Sequence, residues 1–301
     1  MNISSKILTI IICTYNRNNI LRLCLNSISA QSINPINFNV VIVNNYDCPK
    51  VSAEIRTLII GSPNISLVEE KRAGLSIARN SGAYFSKTKW VAYLDDDCIV
   101  PEDFVEKALD IIKWDKYDCF GGHINSWWHY SKPRWMKPTF GTKPKLSDQE
   151  VVLKEDYNWG GNIFFKKEML LAIGGFDEDI GMKKNKIGYS AENRVQIKMK
   201  EIGHRIGYIL SLSVNHLVAP HKYKLLWHIK AAYAEGRDGK TVFPEQYTSS
   251  KLLKDFLRLP LTEALSIYKW ATLSNYYWEN LFLDVFKPIF LLLGKLRARL
   301  K

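Results

Sequence analysis

An α/β fold built on a mostly parallel sheet is predicted by two observations. Apolar, β-branched runs recur at the length of a strand–helix–strand unit, and helical patterns fill the intervals. The runs are residues 7–12, 38–43, 65–68 and 90–94, and their starts lie 31, 27 and 25 residues apart. They are apolar on both faces, as strands of a sheet covered by helices on each side must be. A third observation says where a ligand would sit. In open α/β sheets the crevice lies outside the carboxyl ends of the strands. Here those ends are polar: Thr14-Tyr15-Asn16-Arg17, Asn44-Asn45-Tyr46-Asp47 and Asp95-Asp96-Asp97.

The later elements follow in order. Pro101 suits the first position of a helix, which predicts Val100 as its cap. Residues 123–158 lose the strand–helix rhythm and read as loops. A strand over 163–165 follows Trp159-Gly160-Gly161-Asn162. Helices are predicted near 167–173 and about 191–202, the second stopped by Gly203. Strands over 206–210 and 213–217 come next, with His216 near the end of the last. From about residue 222 the pattern is helical and amphipathic.

Composition narrows the class. The chain has 301 residues, 47% hydrophobic and 24% charged, which is globular composition with length enough for a large core. Its five cysteines are odd in number and never spaced CxxC, so they are expected to be reduced thiols of a cytosolic protein. No secretory leader is expected, since residues 1–6 lead into an apolar run of only six residues before Cys13, and no spanning helix, since the most apolar stretch, 281–293, is broken by Asp284, Lys287 and Pro288. The net charge of +12 invites an anionic partner. From residue 221 on there are 14 Lys/Arg against 7 Asp/Glu, so most of the excess lies in the tail. That distribution, with no recognised binding motif, argues against nucleic acid.

Three consecutive aspartates after a strand repel one another unless a cation screens them, and hard divalent ions prefer carboxylate oxygens. A metal site is therefore expected there. At this point the chain resembles family 2 glycosyltransferases of the GT-A fold, over roughly residues 6–240. The resemblance rests on Ile10-Ile11-Ile12-Cys13-Thr14-Tyr15-Asn16-Arg17, Gly74-Leu75-Ser76-Ile77-Ala78-Arg79-Asn80 and Tyr93-Leu94-Asp95-Asp96-Asp97. Gly174-Gly175-Phe176-Asp177 and Glu192, 11 residues before Gly203, complete the order.

The resemblance implies a Rossmann-like, mostly parallel sheet flanked by helices, with an amphipathic helical extension at the C-terminus. It implies a GT-A catalytic domain over residues 1–221, in which about 1–122 bind the nucleotide sugar and 123–221 the acceptor, followed by a basic tail over 222–301. The donor is a nucleotide-diphosphate sugar, with UDP the first base to consider. Thr14, Tyr15, Asn16 and Arg17 would meet the nucleotide, with Arg72, Arg79 and Asn80 near ribose and diphosphate. Asn44 stands where the family usually has an aspartate against the base, and its amide offers donors as well as an acceptor. Asp97 and His216 would hold Mn²⁺ or Mg²⁺, Asp96 the ribose or a metal-bound water, and Asp95 the loop. Imidazole favours Mn²⁺ of the two.

Inverting transfer to a hydroxyl needs a carboxylate base. Glu192 takes that place at a helix start, although Ala191 and Asn193 replace the usual acidic neighbour. Trp159, Gly160 and Asn162 would face a surface-glycan or lipid-linked acceptor, and Trp127, Trp128 and Trp135 are candidates for stacking on sugar rings.

Two alternatives stay open. A degenerate family member would bind nucleotide or glycan without turnover, a reading motivated by Asn44 and Asn193. A sugar nucleotidyltransferase would need a glycine-rich phosphate loop after the first strand, and none is there. Five positive and no negative charges fall in residues 287–301, next to Leu, Phe and Ile. That composition suggests an anchor on an anionic leaflet, and hence a cytoplasmic protein peripheral to the membrane. A helix with a solvated basic face is the other reading of the same residues.

Overall fold

The structure, a computed structural model, describes residues 6–184 and 186–300. Residues 1–5, read above for a leader, and Lys301 of the basic tail lie outside the described residues. Contacts divide the chain into two compact units. One comprises Met1–Trp127, Gly141–Asp179 and Ala191–Leu217; the other comprises Trp128–Phe140, Ile180–Ser190 and Val218–Lys301.

The first unit holds the sheet. Its strands are β1 (Leu8–Thr14), β2 (Asn39–Asn44), β3 (Ile65–Glu69), β4 (Trp90–Asp95), β5 (Cys98–Ile99), β6 (Cys119–Trp127), β7 (Val151–Val152), β8 (Asn162–Lys166) and β9 (Ile206–Leu217). The order is β3-β2-β1-β4-β8-β6-β9-β5, with β7 beside β9. The four N-terminal strands pair in parallel, as their spacing predicts. β8 runs antiparallel to β4 and β6, while β6 and β9 are parallel to each other.

Helices α1 (Asn18–Ser29), α2 (Pro49–Leu58), α3 (Leu75–Phe85), α4 (Phe104–Trp114), α5 (Lys167–Ala172) and α6 (Ala191–Glu201) complete the unit. α1 buries Leu21, Cys24, Leu25 and Ile28, the i, i+3, i+4, i+7 face of an amphipathic helix. Its core partners include Leu8, Ile10 and Ile12 of β1, all fully buried.

Three expectations are corrected. α4 starts at Phe104 with Asp103 as cap, because residues 101–103 form a turn in which the Phe104 amide donates to the Pro101 carbonyl (3.1 Å). Residues 123–127 are not loop but the end of β6, held by β9. The two strands expected over 206–217 are one, β9, whose pairing with β6 shifts register between Gly122 and Ile124. Gly203 has φ +87° and ends α6 as expected, with the His204 amide donating to the Met199 carbonyl (3.0 Å).

The second unit contains α7 (Leu225–Asp238), α8 (Ser249–Thr272) and α9 (Trp278–Arg299). α7 and α9 cross with their backbones almost touching. A Cβ on Gly236 would lie 2.1 Å from the Leu291 carbonyl oxygen, and one on Gly294 would lie 2.2 Å from that of Tyr233. Only glycine permits that approach. Trp128 stacks on Tyr223 with centroids 5.9 Å apart, and Trp135 and Phe140 pack edge-on against His228. These tryptophan contacts are internal to the unit. Among the described residues no helix is long and apolar enough to cross a membrane.

Candidate active site

Parallel pairing of β1 with β4 brings the two strand ends side by side, Cys13 opposite Asp95. Asn16 then turns the chain through φ +53°, a left-handed conformation that asparagine tolerates better than most residues. Past that turn, Arg17 reaches back to the aspartates. Its guanidinium pairs with Asp96 and donates to Asp97 Oδ2 at 3.0 Å. Thr14 Oγ1 donates to Asp96 Oδ2 at 2.6 Å. Asp96 has no exposed surface, and burial pushes its carboxyl up to about 7. Arg17 and Thr14 oppose that rise, and the charges of Asp97 and Asp95 add to it.

His216 arrives from the other side of the sheet. β5 pairs antiparallel with β9 so that Cys98 faces His216, and the Leu217 amide donates to the Asp97 carbonyl at 2.8 Å. His216 Nε2 consequently lies 3.2 Å from Asp97 Oδ1 and 3.9 Å from Asp95 Oδ2. The donor set fits a divalent cation of the manganese type, being a buried carboxylate with an imidazole beside it. Cys98 Sγ belongs to the same cluster of ligand atoms, all within 4.8 Å of one another. Burial holds that thiol well above its ordinary range, and it points to the Gly161 carbonyl at 3.8 Å.

Arg79, on α3 and expected near ribose and diphosphate, is the hub of the site. It is 4% exposed. Its guanidinium donates to the Gly160 carbonyl at 3.0 Å and lies 3.6 Å from Asp95 and 3.9 Å from Glu192. The rings of Phe176 and Tyr93 flank it at 5.1 and 5.8 Å. Glu192 sits in the first turn of α6, half-buried. Gly160 and Gly161 let the chain pass this hub: a Cβ on the first would lie 2.6 Å from Arg79, and one on the second 2.5 Å from Asp95. Asn193 is half-buried beside Glu192, and the next residue, Arg194, lies 3.6 Å from Asp177.

Other predicted site residues hold the frame. Asn44 is buried, and its amide donates to Ser52 Oγ (2.9 Å) and the Tyr46 carbonyl (3.1 Å) while accepting from the Tyr46 amide (3.1 Å). Asn80 clamps Phe176 from both sides, at 2.8 and 2.9 Å. Asn162 is fully buried and donates to the Leu212 carbonyl at 2.7 Å. Trp159 packs against the core. Arg72 is exposed and paired with Glu70 and Glu178. Sequence reasoning passed over Asn45, which fastens the 70–74 loop by bonds to the carbonyls of Glu70 and Arg72 and from the Gly74 amide. Beyond Asn44 opens a cleft of about 290 Å³ lined by Tyr46, Pro49, Ser52, Arg56 and Lys71. Tyr15 meets Tyr46 edge-on, centroids 5.0 Å apart.

The sequence profile of glycosyl transferase family 2 matches residues 9–174. A glucosyl-dolichyl phosphate glucuronosyltransferase of Haloferax volcanii is 24% identical over 237 residues, covering 76% of this chain and 74% of the relative. A solved mannosyltransferase from Pyrobaculum calidifontis, in complex with GDP-Man and Mn²⁺, aligns with a TM-score of 0.61 at 17% identity, over 94% of this chain and 85% of that one. TarS 1–349 of S. aureus, in complex with UDP-GlcNAc, aligns with a TM-score of 0.58 at 12% identity, over 98% and 92%. These likenesses show the fold, the GT-A arrangement that the motifs led us to expect.

Proposed function

The chain belongs to glycosyl transferase family 2 and is a glycosyltransferase, and from that premise we propose that it moves one sugar from a nucleotide diphosphate to an acceptor hydroxyl with inversion. The observation that carries this reading is the convergence on one rim of Asp97 and His216, 3.2 Å apart, and of Glu192, tied to Asp95 through Arg79.

Asp97 and His216 would hold the divalent cation, which when bound supplies Lewis-acid stabilisation of the leaving diphosphate. The protein's own groups do the rest. Thr14 and Arg17 position Asp96 and Asp97 for the donor. Glu192 takes the proton from the acceptor hydroxyl as that oxygen attacks the anomeric carbon opposite the leaving group. Arg79 fixes the separation between the donor-side Asp95 and the base. The cleft beyond Asn44 receives the nucleotide base, with Lys71 and the Arg56–Glu69 pair (2.9 Å) at its wall. A lipid-linked or glycan acceptor is supported by the dolichyl phosphate in the name of the Haloferax relative. UDP-sugars are the first donors to try, and the GDP-Man and UDP-GlcNAc of the structural neighbours define the comparison set.

The test is a thermal-shift titration against UDP-, GDP-, CDP- and dTDP-sugars with and without Mn²⁺, followed by turnover with the donor that binds. We expect a shift for one nucleotide class that requires the metal. Glu192→Gln should keep that shift and lose turnover by about 10²–10⁴-fold. Near-normal turnover in this variant removes Glu192 as the base.

A further inference from the structure

Helix α8 buries only Leu252 and Ser266 among its described residues. Leu253, Phe256, Leu257, Leu261, Ile267 and Tyr268 are each between 56% and 73% exposed. At one turn per 3.6 residues these six side chains fall within an arc of about 140°. So large a contiguous apolar face on a folded protein marks a docking surface.

The flank of that arc is cationic. Lys251, Lys254 and Arg258 follow one another at i, i+3 and i+7, on the strip of α8 adjoining the apolar arc. With Lys295 of α9 they line a hollow of about 310 Å³ whose acids are Glu245 and Asp255. Asp255 is taken by Lys295 at 2.8 Å, and among the described residues Lys251, Lys254 and Arg258 form no ion pair.

We propose that α8 docks this protein on an anionic phospholipid bilayer. The apolar arc lies in the boundary between headgroups and acyl chains, and lipid phosphates sit against Lys251, Lys254 and Arg258 in the hollow. Apolar arc and cationic strip on one helix are the pattern of an interfacial helix, and the charge complements an anionic leaflet. An antiparallel second copy of the same face would bring like cations to the same flank. The surface extends the anchor expected over 281–301: α9 buries Leu283, Leu292, Gly294 and Ala298, exposes the narrower apolar face of Trp278, Phe286, Leu293 and Leu296, and leaves the broader one to α8. Docking through α8 involves none of the donor-site or base residues.

The full chain is floated with phosphatidylcholine vesicles with and without phosphatidylglycerol, and its mass is measured by light scattering. Binding is expected only with phosphatidylglycerol, weakening as salt rises. Leu257→Glu with Leu261→Glu should lower the partition coefficient by at least about tenfold. Lys251→Gln, Lys254→Gln and Arg258→Gln together should lower it about 100-fold. All five positions are exposed, and an unchanged thermal midpoint verifies that the variants fold. The proposal is overturned if the parent chain floats with neither vesicle, or if both variants bind as it does. It is equally overturned if the parent is a dimer that the leucine variant dissociates while vesicle binding is absent.

Discussion

The rim of the α/β unit and helix α8 of the helical unit depart from ordinary burial in opposite directions. At the rim, Arg79, Asp96 and Asp97 are charged groups with almost no exposed surface. On α8, leucines and a phenylalanine stand in the open. Each departure has a cost that something must offset: a buried charge needs partners, and an exposed apolar face needs a covering surface. At the rim the partners are present within the fold, since Arg17 and Thr14 hold Asp96 while Asp95, Glu192 and the Gly160 carbonyl surround Arg79. On α8 the matching surface has to come from outside the chain. The buried polar side chain and the exposed apolar one are the informative residues in any fold, and here they separate the place where chemistry occurs from the place where the protein attaches.

The comparison breaks first at Arg79. Arg79→Met leaves Asp95 and Glu192, whose side chains are 34% and 22% exposed, without their shared cation, and the Gly160 carbonyl without its donor. The thermal midpoint should fall clearly and turnover with it, whereas an unchanged midpoint would mean that the rim's charges do not depend on this hub.

The helical unit has a buried titratable group of its own, which sharpens the contrast. Burial pushes His228 down to about 4, with Lys287 adding to the fall and the bond to the Lys222 carbonyl opposing it. The native state keeps His228 neutral while the unfolded chain takes up a proton below about 6.5. Stability should therefore be full above that pH and decline as pH falls toward 4, by on the order of 3 kcal/mol in all. Denaturant titrations at pH 7.5 and pH 5 should show the loss, and His228→Gln should flatten it. The smallest effect is expected at the helix crossing. Gly294→Ala places a methyl 2.2 Å from the Tyr233 carbonyl oxygen, and overpacking of that kind costs about 1–3 kcal/mol. A midpoint equal to that of the parent would mean that α7 and α9 separate freely.

Much of the α/β unit was legible because parallel strands buried on both faces leave an unambiguous mark. Once β1, β2 and β4 are placed, the approach of Thr14 to the aspartates follows from register, while that of Arg17 also needs the left-handed turn at Asn16. His216 was singled out for a different reason, the resemblance to the family, and the structure sets it 3.2 Å from Asp97. The amides were not legible. Asn44, Asn80 and Asn162 sit at the expected positions, but whether an amide faces a ligand or a backbone depends on partners far along the chain, such as Phe176 for Asn80 and Leu212 for Asn162. Arg79 was ambiguous for the same reason, since its partners come from β4, α6 and the glycine pair at 160–161. In the tail, α8 and α9 have similar composition. The close approach of α9 to α7 at Gly236 and Gly294, which covers part of α9's surface, is invisible to any count of leucines.

Neither unit is a continuous stretch of chain. The backbone passes from one to the other five times, after Trp127, Phe140, Asp179, Ser190 and Leu217. A single crossover between coding sequences therefore cannot add, remove or exchange the helical unit as a cassette. A splice at Val218 would leave residues 128–140 and 180–190 matched to helices that had gone elsewhere. Transplanting the helical unit onto another catalytic unit requires three segments to move together.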